Sequence, residues 1–236
     1  MLILGVDTSA KVCSVAILQN QSVLFSSTLS DGLTHSQTLL PLIKTALEST
    51  NFTVSDLSGI AISCGPGSFT GLRIGISTVK GLAIADHIPC IPLSTLEALA
   101  YNGIEREDTL VCALMDARRG EYYNALFRIT DGKVYRVTDD RAISGDMIYS
   151  EIKNEKNLLI LGDGAEKFVS EHTDLADFLA SPEIRFQSGK SVATLGEKLF
   201  REEKFVSCEK LTPSYLRLPQ AEREWLMKNK KSEVSL

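Results

Sequence analysis

Apolar runs in the first 65 residues predict three strands, a helix and a fourth strand. The predicted strands cover residues 2–7, 12–18, 22–29 and 57–63. The first of them ends in a polar Asp-Thr-Ser sequence at residues 7–9. Residues 34–37 read Thr-His-Ser-Gln, the spacing of a capping box, and an apolar stretch follows, so we expect a helix over 36–47. The predicted order is therefore βββαβ.

The same order returns in the second half of the chain. Its predicted elements are strands at 109–116, 121–129, 133–138 and 157–162, with a helix near 146–153. Asp116 ends the first of these strands, just as Asp7 ends the first strand of the earlier unit. Two tandem βββαβα units with these aspartates are typical of an α/β, actin-like ATPase (ribonuclease H-like) fold, in which paired aspartate loops face nucleotide phosphates across a cleft. Chance similarity between two α/β halves is the alternative.

A glycine-rich segment, GPGSFTGLRIG at residues 65–75, lies between a predicted buried strand and an apolar helix over 72–85. Such a position suits a phosphate loop. However, a Walker A loop requires lysine directly after Gly71, a dinucleotide fingerprint requires glycine where Thr70 stands, and Ser68 lacks the GxSxG pattern. The segment therefore specifies no standard chemistry, and its glycines are better explained by close packing.

The helices over 36–47 and 72–85 are apolar around most of their circumference, which predicts burial against a partner subunit. The expected contacts are Leu39, Ile43, Leu47, Arg73, Ile76, Val79 and Lys80. The alternative is that both helices pack only within their own domain. Residues 1–105 carry 4 basic and 7 acidic side chains against 21 and 23 in residues 106–236. This shift predicts two subdomains, 1–105 and 106–236, of which the first hides apolar surface and binds the partner.

Composition excludes several classes of protein. The 236 residues are 44% hydrophobic with a net charge of −5, which excludes disordered and collagen-like chains and argues against stand-alone nucleic-acid binding. No apolar run is long enough to span a membrane, and five cysteines without a CxxC pair favour a reduced compartment, so we expect a cytoplasmic protein. The three histidines form no metal-binding pair, and no protease signature is present.

Several longer motifs resemble one family. They are LILGVDTSA, HSQTLLPLI, GPGSFTGLRIG, STLEALA, MDARRGEYY and PSYLRLPQAE. This combination resembles the TsaB (YeaZ) family, the small actin-like subunit of the bacterial machinery for tRNA threonylcarbamoyladenosine. The resemblance implies a heterodimer with the catalytic paralogue TsaD, a ternary complex with the ATPase TsaE, and a homodimer when TsaD is absent. The complex transfers threonylcarbamoyl from threonylcarbamoyl-AMP to N6 of the adenosine beside the anticodon, in tRNAs reading codons that begin with adenine.

The resemblance also predicts that this chain lacks the chemistry of its paralogue. TsaD carries a His-x3-His metal pair where this chain has Thr95 and Leu99, and neither side chain supplies an imidazole nitrogen. Residues 94–97, Ser-Thr-Leu-Glu, have instead the spacing of a capping box. We therefore expect no metal, no cofactor and no catalytic residue, with tRNA reached through the complex.

The resemblance also predicts that the nucleotide-binding loops of this chain are degenerate. They comprise Asp7, Thr8, Ser9 and Asp116. In the second loop the aspartate is followed by alanine and two bulky residues, Arg118 and Arg119, which are candidates for contact with an anion, a substrate RNA or a partner carboxylate. Gly162-Asp163-Gly164 stands where an adenine-binding turn would lie but is equally a plain turn. The tail over 222–231 is a candidate docking helix or RNA contact, and the alternative is a solvated, frayed terminus. The alternative function is an active phosphotransferase or nucleotide hydrolase that uses Asp7 and Asp116.

Overall fold

The computed structural model describes residues 1–30 and 34–217, so the predicted tail helix over 222–231 lies outside the described residues. The strands are β1 (Leu2–Asp7), β2 (Cys13–Gln19), β3 (Ser22–Leu29), β4 (Gly59–Gly65), β5 (Cys90–Ser94), β6 (Thr109–Asp116), β7 (Glu121–Thr130), β8 (Lys133–Arg136), β9 (Arg141–Ser144) and β10 (Leu158–Leu161). The helices are α1 (His35–Thr50), α2 (Phe69–Ala83), α3 (Thr95–Ala100), α4 (Gly145–Ile152), α5 (Ala165–Glu171), α6 (Pro182–Arg185) and α7 (Gly189–Arg201).

Two five-stranded sheets form the framework. The first has the order β3-β2-β1-β4-β5, and the second has the order β10-β6-β7-β8, with β9 also paired to β7. In both sheets the first strand of the unit is antiparallel to the second strand, β1 to β2 and β6 to β7. It is also parallel to the strand that follows the unit's helix, β1 to β4 and β6 to β10. The predicted duplication is therefore present in the sheet topology.

Side chains alternate across β1, and this alternation determines the layers. Leu4 and Val6 face a core shared with α1 and α2, whereas Ile3 faces a second core shared with α7. That second core also contains side chains of α3 and of the inner face of the second sheet. A third core joins the outer face of the second sheet to α4 and α5. The result is five layers in which α3 and α7 lie between the two sheets.

The helices do not follow the division of the sequence at residue 105. Helix α7 comes from the second segment but packs on β1, β2 and β4 of the first sheet. It approaches closely because Gly5 of β1 has no side chain: a Cβ there would lie 2.6 Å from the backbone nitrogen of Ala193. The division between 1–105 and 106–236 thus separates the two sheets but not the helices that cover them.

Of the two predicted capping boxes, the one at α1 is present in full and the one at α3 in part. At the start of α1, Thr34 and Gln37 form both halves of the box. At the start of α3, the Ser94 hydroxyl accepts a hydrogen bond from the Glu97 amide, while the Glu97 carboxylate pairs with Arg136 instead of returning to the cap. Across the described residues, no helix is both long enough and apolar enough to span a membrane.

Candidate functional site: the interlobe cleft and the helices beside it

The first aspartate loop is buried at the end of β1. Asp7 is 1% exposed, and its Oδ1 accepts hydrogen bonds from the backbone nitrogen of Ser9 at 2.8 Å and from the Ser9 hydroxyl at 2.7 Å. Its Oδ2 accepts from the Ser63 hydroxyl at 2.5 Å. Burial raises the pKa of Asp7, while these hydrogen bonds and nearby His35 act in the opposite direction. The carboxylate is therefore engaged within the protein on both oxygens.

Helix α2 lies directly on this loop. The Thr8 hydroxyl donates a hydrogen bond to the backbone oxygen of Gly71 at 2.8 Å, and Thr8 is fully buried. A Cβ at Gly71 would overlap the backbone oxygen of Thr8, and a Cβ at Gly75 would overlap the Thr8 hydroxyl. The glycines of the GPGSFTGLRIG segment thus allow α2 to contact the aspartate loop, and the helix fills the space above Thr8.

The second aspartate loop is open to solvent. Asp116 is exposed; its Oδ1 accepts from the backbone nitrogen of Arg118 at 2.8 Å and lies 3.5 Å from the Lys167 ammonium. Arg118 and Arg119 both have left-handed backbone angles, with φ of 64° and 58°, and Gly120 follows with φ of 76°. This tight connection between β6 and β7 presents both guanidinium groups at the surface.

A cleft of about 610 Å³ separates the two aspartate loops. It is lined from the first lobe by residues 9–11 and 66–70, and from the second lobe by residues 115–118, Tyr123 and Asp163. Burial raises the pKa of Asp163 to about 6, against the lowering effect of nearby Lys11. The Oδ1 atom of Asp163 has no hydrogen-bond partner among the described residues. Asp7 itself does not line the cleft, because Ser9 and the start of α2 cover it.

The end of the described chain crosses the mouth of this cleft as a strap, residues 211–217. The amide of Ser214 donates to the backbone oxygen of Cys64 at 2.8 Å. The Tyr215 ring stacks on Phe69 with centroids 4.9 Å apart, and its hydroxyl accepts from the Arg73 Nε at 3.0 Å.

The strap then reaches the second lobe. Arg217 pairs with Glu121 and also donates to the backbone oxygen of Ala117 at 3.3 Å. The strap therefore touches both lobes. Sequence reasoning assigned it no role, although PSYLRLPQAE was among the family motifs.

The predicted partner-contact residues fall into two groups. Leu39, Ile43 and Leu47 of α1, together with Ile76 and Val79 of α2, are buried against the first sheet. As core residues these five are not available as surface contacts, which corrects their assignment. Their burial agrees with the alternative stated above, in which both helices pack within their own domain.

The remaining two predicted contacts, Arg73 and Lys80, lie on the outer side of α2, where Arg73 is exposed and Lys80 is half-buried. Two apolar side chains that were not among the predicted contacts are open to solvent on these helices: Leu40 on α1 is 55% exposed and Ile84 directly after α2 is 59% exposed. They were missed because both helices were treated as apolar around most of their circumference, although the spacing of Leu39, Ile43 and Leu47 marks the buried side of α1.

The positions that correspond to the paralogue's histidine pair point into the core. Thr95 and Leu99 of α3 are 0% and 1% exposed. No group of histidine, cysteine, aspartate and glutamate side chains within residues 1–30 and 34–217 is arranged to hold a metal ion. His35 instead contacts the backbone oxygen of Ala10 at 2.8 Å through Nε2, and His172 stacks on Tyr149.

The comparisons with known proteins agree with this architecture. Residues 32–225 match the family model described as TsaD, tRNA N6-adenosine threonylcarbamoyltransferase. The tRNA threonylcarbamoyladenosine biosynthesis protein TsaB of Bacillus subtilis is 30% identical over 234 residues, which cover 98% of this chain and 100% of that protein. This chain belongs to the TsaB family. Escherichia coli TsaB is 29% identical over 220 residues, covering 92% and 95% of the two chains.

Solved structures give the same result. A Pseudomonas aeruginosa protein described as similar to the peptidase YeaZ has a TM-score of 0.80 at 26% identity, covering 92% of this chain and 99% of its own. YeaZ from the same organism has a TM-score of 0.77 at 25% identity, covering 91% and 99%. Component A of (R)-2-hydroxyglutaryl-CoA dehydratase from Acidaminococcus fermentans shares the fold alone, with a TM-score of 0.52 at 10% identity and coverage of 84% and 98%. The predicted actin-like α/β fold is confirmed.

Proposed function

We propose that this chain acts in the biosynthesis of tRNA threonylcarbamoyladenosine as a noncatalytic subunit that pairs with TsaD. In this role it supports the transfer of threonylcarbamoyl from threonylcarbamoyl-AMP to N6 of the adenosine beside the anticodon, in the cytoplasm. The proposal extends to TsaE as the third member of the complex, and to a homodimer in the absence of TsaD. The biosynthetic part of this proposal is supported by the TsaB relatives, which are named as tRNA threonylcarbamoyladenosine biosynthesis proteins.

The packing of α2 on the first aspartate loop is the observation that supports a noncatalytic role. A phosphate loop needs backbone amides and side-chain oxygens that face an open cleft. Here the hydroxyl of Thr8 and both carboxylate oxygens of Asp7 bond within the protein, and the backbone of Gly71 occupies the space above them. A triphosphate and its magnesium would have to displace the start of α2.

The partner surface is proposed to be the outer side of α1 and α2 in the first lobe, 1–105. This lobe has 11 charged residues among its 105, and it exposes Leu40 and Ile84 on these helices. Arg73 and Lys80 stand on the same helices and add positive charge at the edge of that surface. Exposed apolar side chains accompanied by basic residues are common in protein–protein interfaces.

The test is light scattering after size-exclusion chromatography of this chain, alone and mixed with TsaD from the same source. We expect a heterodimer peak that replaces a homodimer peak. Leu40→Asp and Ile84→Asp should each weaken the heterodimer at least tenfold, because they place a charge in a desolvated interface. Met147→Asp is the matched control, because Met147 is also 55% exposed but lies on α4 of the other lobe. Equal effects of all three variants, or separate unmixed peaks, would contradict the proposed surface.

Titration calorimetry with magnesium and ATP addresses the catalytic alternative. We expect no saturable binding to the isolated chain. Tight binding that Asp7→Asn abolishes would instead favour a phosphotransferase or nucleotide hydrolase. The aspartate and asparagine side chains have the same shape, so this variant changes the charge and largely preserves the packing at the end of β1.

A further inference from the structure

The mouth of the interlobe cleft combines aromatic rings with basic side chains. Phe69, Tyr123 and Tyr215 contribute rings to its lining. The same lining contains three basic residues, namely Lys11, Arg118 and Arg217. Rings that stack on bases and cations that follow a phosphate backbone are together the signature of a surface for single-stranded nucleic acid.

The local charge differs from that of the whole chain. The net charge of the protein is −5, and residues 1–105 contain only four basic side chains. Two of those four are at the cleft: Lys11 lines it, and Arg73 lies 3.8 Å above the Phe69 ring. The lining also contains two acidic residues, Asp116, which lies 3.5 Å from the Lys167 ammonium, and Asp163. Three basic residues against two acidic ones give the cleft a small excess of positive charge, in contrast to the negative charge of the whole chain.

The β6–β7 connection carries Arg118 of the lining and adds the guanidinium group of Arg119 beside it. Arg118 and Arg119 are exposed, and neither forms an ion pair with a carboxylate in the part of the chain that the structure describes. Their left-handed backbone angles belong to the loop of the β6–β7 hairpin, which the hydrogen bond from the Ala117 amide to the Glu121 backbone oxygen closes at 3.0 Å. Exposed arginines held on a tight turn are suited to bind phosphate groups.

An aromatic platform stands opposite this turn. Tyr215 is 36% exposed, and one side of its ring stacks on Phe69. Arg73 fixes the pair, since it lies over the Phe69 ring and donates to the Tyr215 hydroxyl. A ring held in this way loses little conformational entropy when a base stacks on it.

We propose that the mouth of this cleft binds a single-stranded segment of the RNA substrate, with bases on the Tyr215–Phe69 platform and phosphates near Lys11, Arg118 and Arg119. This inference rests on the proposed function, because it assigns to the noncatalytic subunit a direct contact with the tRNA. Single-stranded loops are the part of an RNA whose bases are free to stack on aromatic side chains. A mononucleotide fits less well, because α2 closes the deep phosphate position above Thr8 and leaves the open, extended mouth.

The test uses a fluorescein-labelled RNA hairpin with the sequence of a tRNA anticodon arm, and measures its anisotropy with the full chain alone and with the TsaD heterodimer. We expect binding that weakens as salt rises. The double variant Arg118→Ser/Arg119→Ser should weaken binding at least several-fold and should lower the slope of log affinity against log salt by about 1.4, or roughly 0.7 for each phosphate that is no longer neutralised. Lys153→Ser/Lys156→Ser is the control with the same change of charge. These lysines are exposed and lie near the amino end of β10, away from the cleft.

Stacking has its own matched pair of variants. Tyr215→Leu removes the ring and should weaken binding about fivefold or more, whereas Tyr215→Phe keeps the ring and should change binding less than twofold. Arg73 is left intact because it belongs to the proposed TsaD surface.

Three results would overturn the inference. The first is the absence of salt-dependent RNA binding by both the chain and the heterodimer. The second is an equal loss of RNA affinity in the two double variants. The third is displacement of the RNA by stoichiometric ATP, which would identify a mononucleotide site. Heterodimer formation is scored separately by light scattering, so a failure of TsaD pairing is distinguished from a failure of RNA binding.

Discussion

Two glycines of α2 provide a direct test of how this helix is used. Gly71 contacts the backbone oxygen of Thr8, whereas Gly81, ten residues later on the same helix, is exposed, and a Cβ at that position would have no heavy atom within 4 Å. Neither glycine has a positive φ. Gly71→Ala and Gly81→Ala therefore make the same chemical change in the same helix with different surroundings.

The two variants are expected to shift stability in opposite directions. Replacing glycine by alanine inside a helix raises the free energy of unfolding by about 0.5–1 kcal/mol, and at Gly81 nothing opposes this gain. At Gly71 the added methyl group overlaps a backbone atom that cannot rotate away, and overpacking of this kind costs about 1–3 kcal/mol. The net effect at Gly71 is a loss of about 1–2 kcal/mol.

Thermal unfolding followed by far-ultraviolet circular dichroism measures both variants. For a chain of this size about 2–4 °C corresponds to 1 kcal/mol, so the melting temperature should rise by about 1–4 °C for Gly81→Ala and fall by about 2–8 °C for Gly71→Ala. Urea unfolding should give the same signs. If Gly71→Ala were as stabilising as Gly81→Ala, the space above Thr8 would be open, and closure of the phosphate position by α2 would be refuted.

Two further predictions concern the cleft. Because burial raises the pKa of Asp163 from 3.8 to about 6, the folded protein binds a proton more tightly there than the unfolded chain, so this residue lowers the free energy of unfolding as pH rises from about 4 to 6. Asp163→Asn should then stabilise the protein by about 2–3 kcal/mol at pH 7.5 and by little at pH 4, and urea titrations that give equal gains at both pH values would contradict this. Glu121→Gln removes the charge that pairs with Arg217 and should speed hydrogen exchange at the Ser214 amide about two- to fivefold, measured by mass spectrometry. Glu155→Gln, at another ion pair of the same sheet, should leave that exchange rate unchanged.

The pattern of apolar residues was enough to predict the duplicated framework. Strands β1, β2, β3, β4, β6 and β7 appear where alternation and apolar runs predicted them, because a half-buried or buried strand requires such a pattern whatever surrounds it. The capping residues Thr34 and Ser94 also marked helix starts correctly, since capping is a local interaction. The family motifs were likewise visible in the sequence.

Helical spacing, rather than residue type, separates the two sides of α1. Leu39 and Leu40 are neighbours of the same type, yet the first is 1% exposed and the second is 55% exposed. Leu39 shares a side of the helix with the buried Ile43, whereas Leu40 shares a side with the exposed Lys44. The return of α7 to the first sheet and the path of the strap across the cleft depend instead on contacts between residues distant in sequence, which such spacing does not indicate.

The sequence by itself therefore determined the duplicated α/β framework, the two aspartate loops and the absence of a histidine pair at Thr95 and Leu99, but not strands β5 and β9 or helix α7. Tertiary structure alone decided that the first loop is closed, because the Thr8 hydroxyl and the Gly71 backbone are 63 positions apart and meet only when α2 packs over β1. It also decided that Tyr215, Phe69 and Arg73 form one surface. Local periodicity carries no information about such encounters, because they depend on how the sheets and helices are stacked in space.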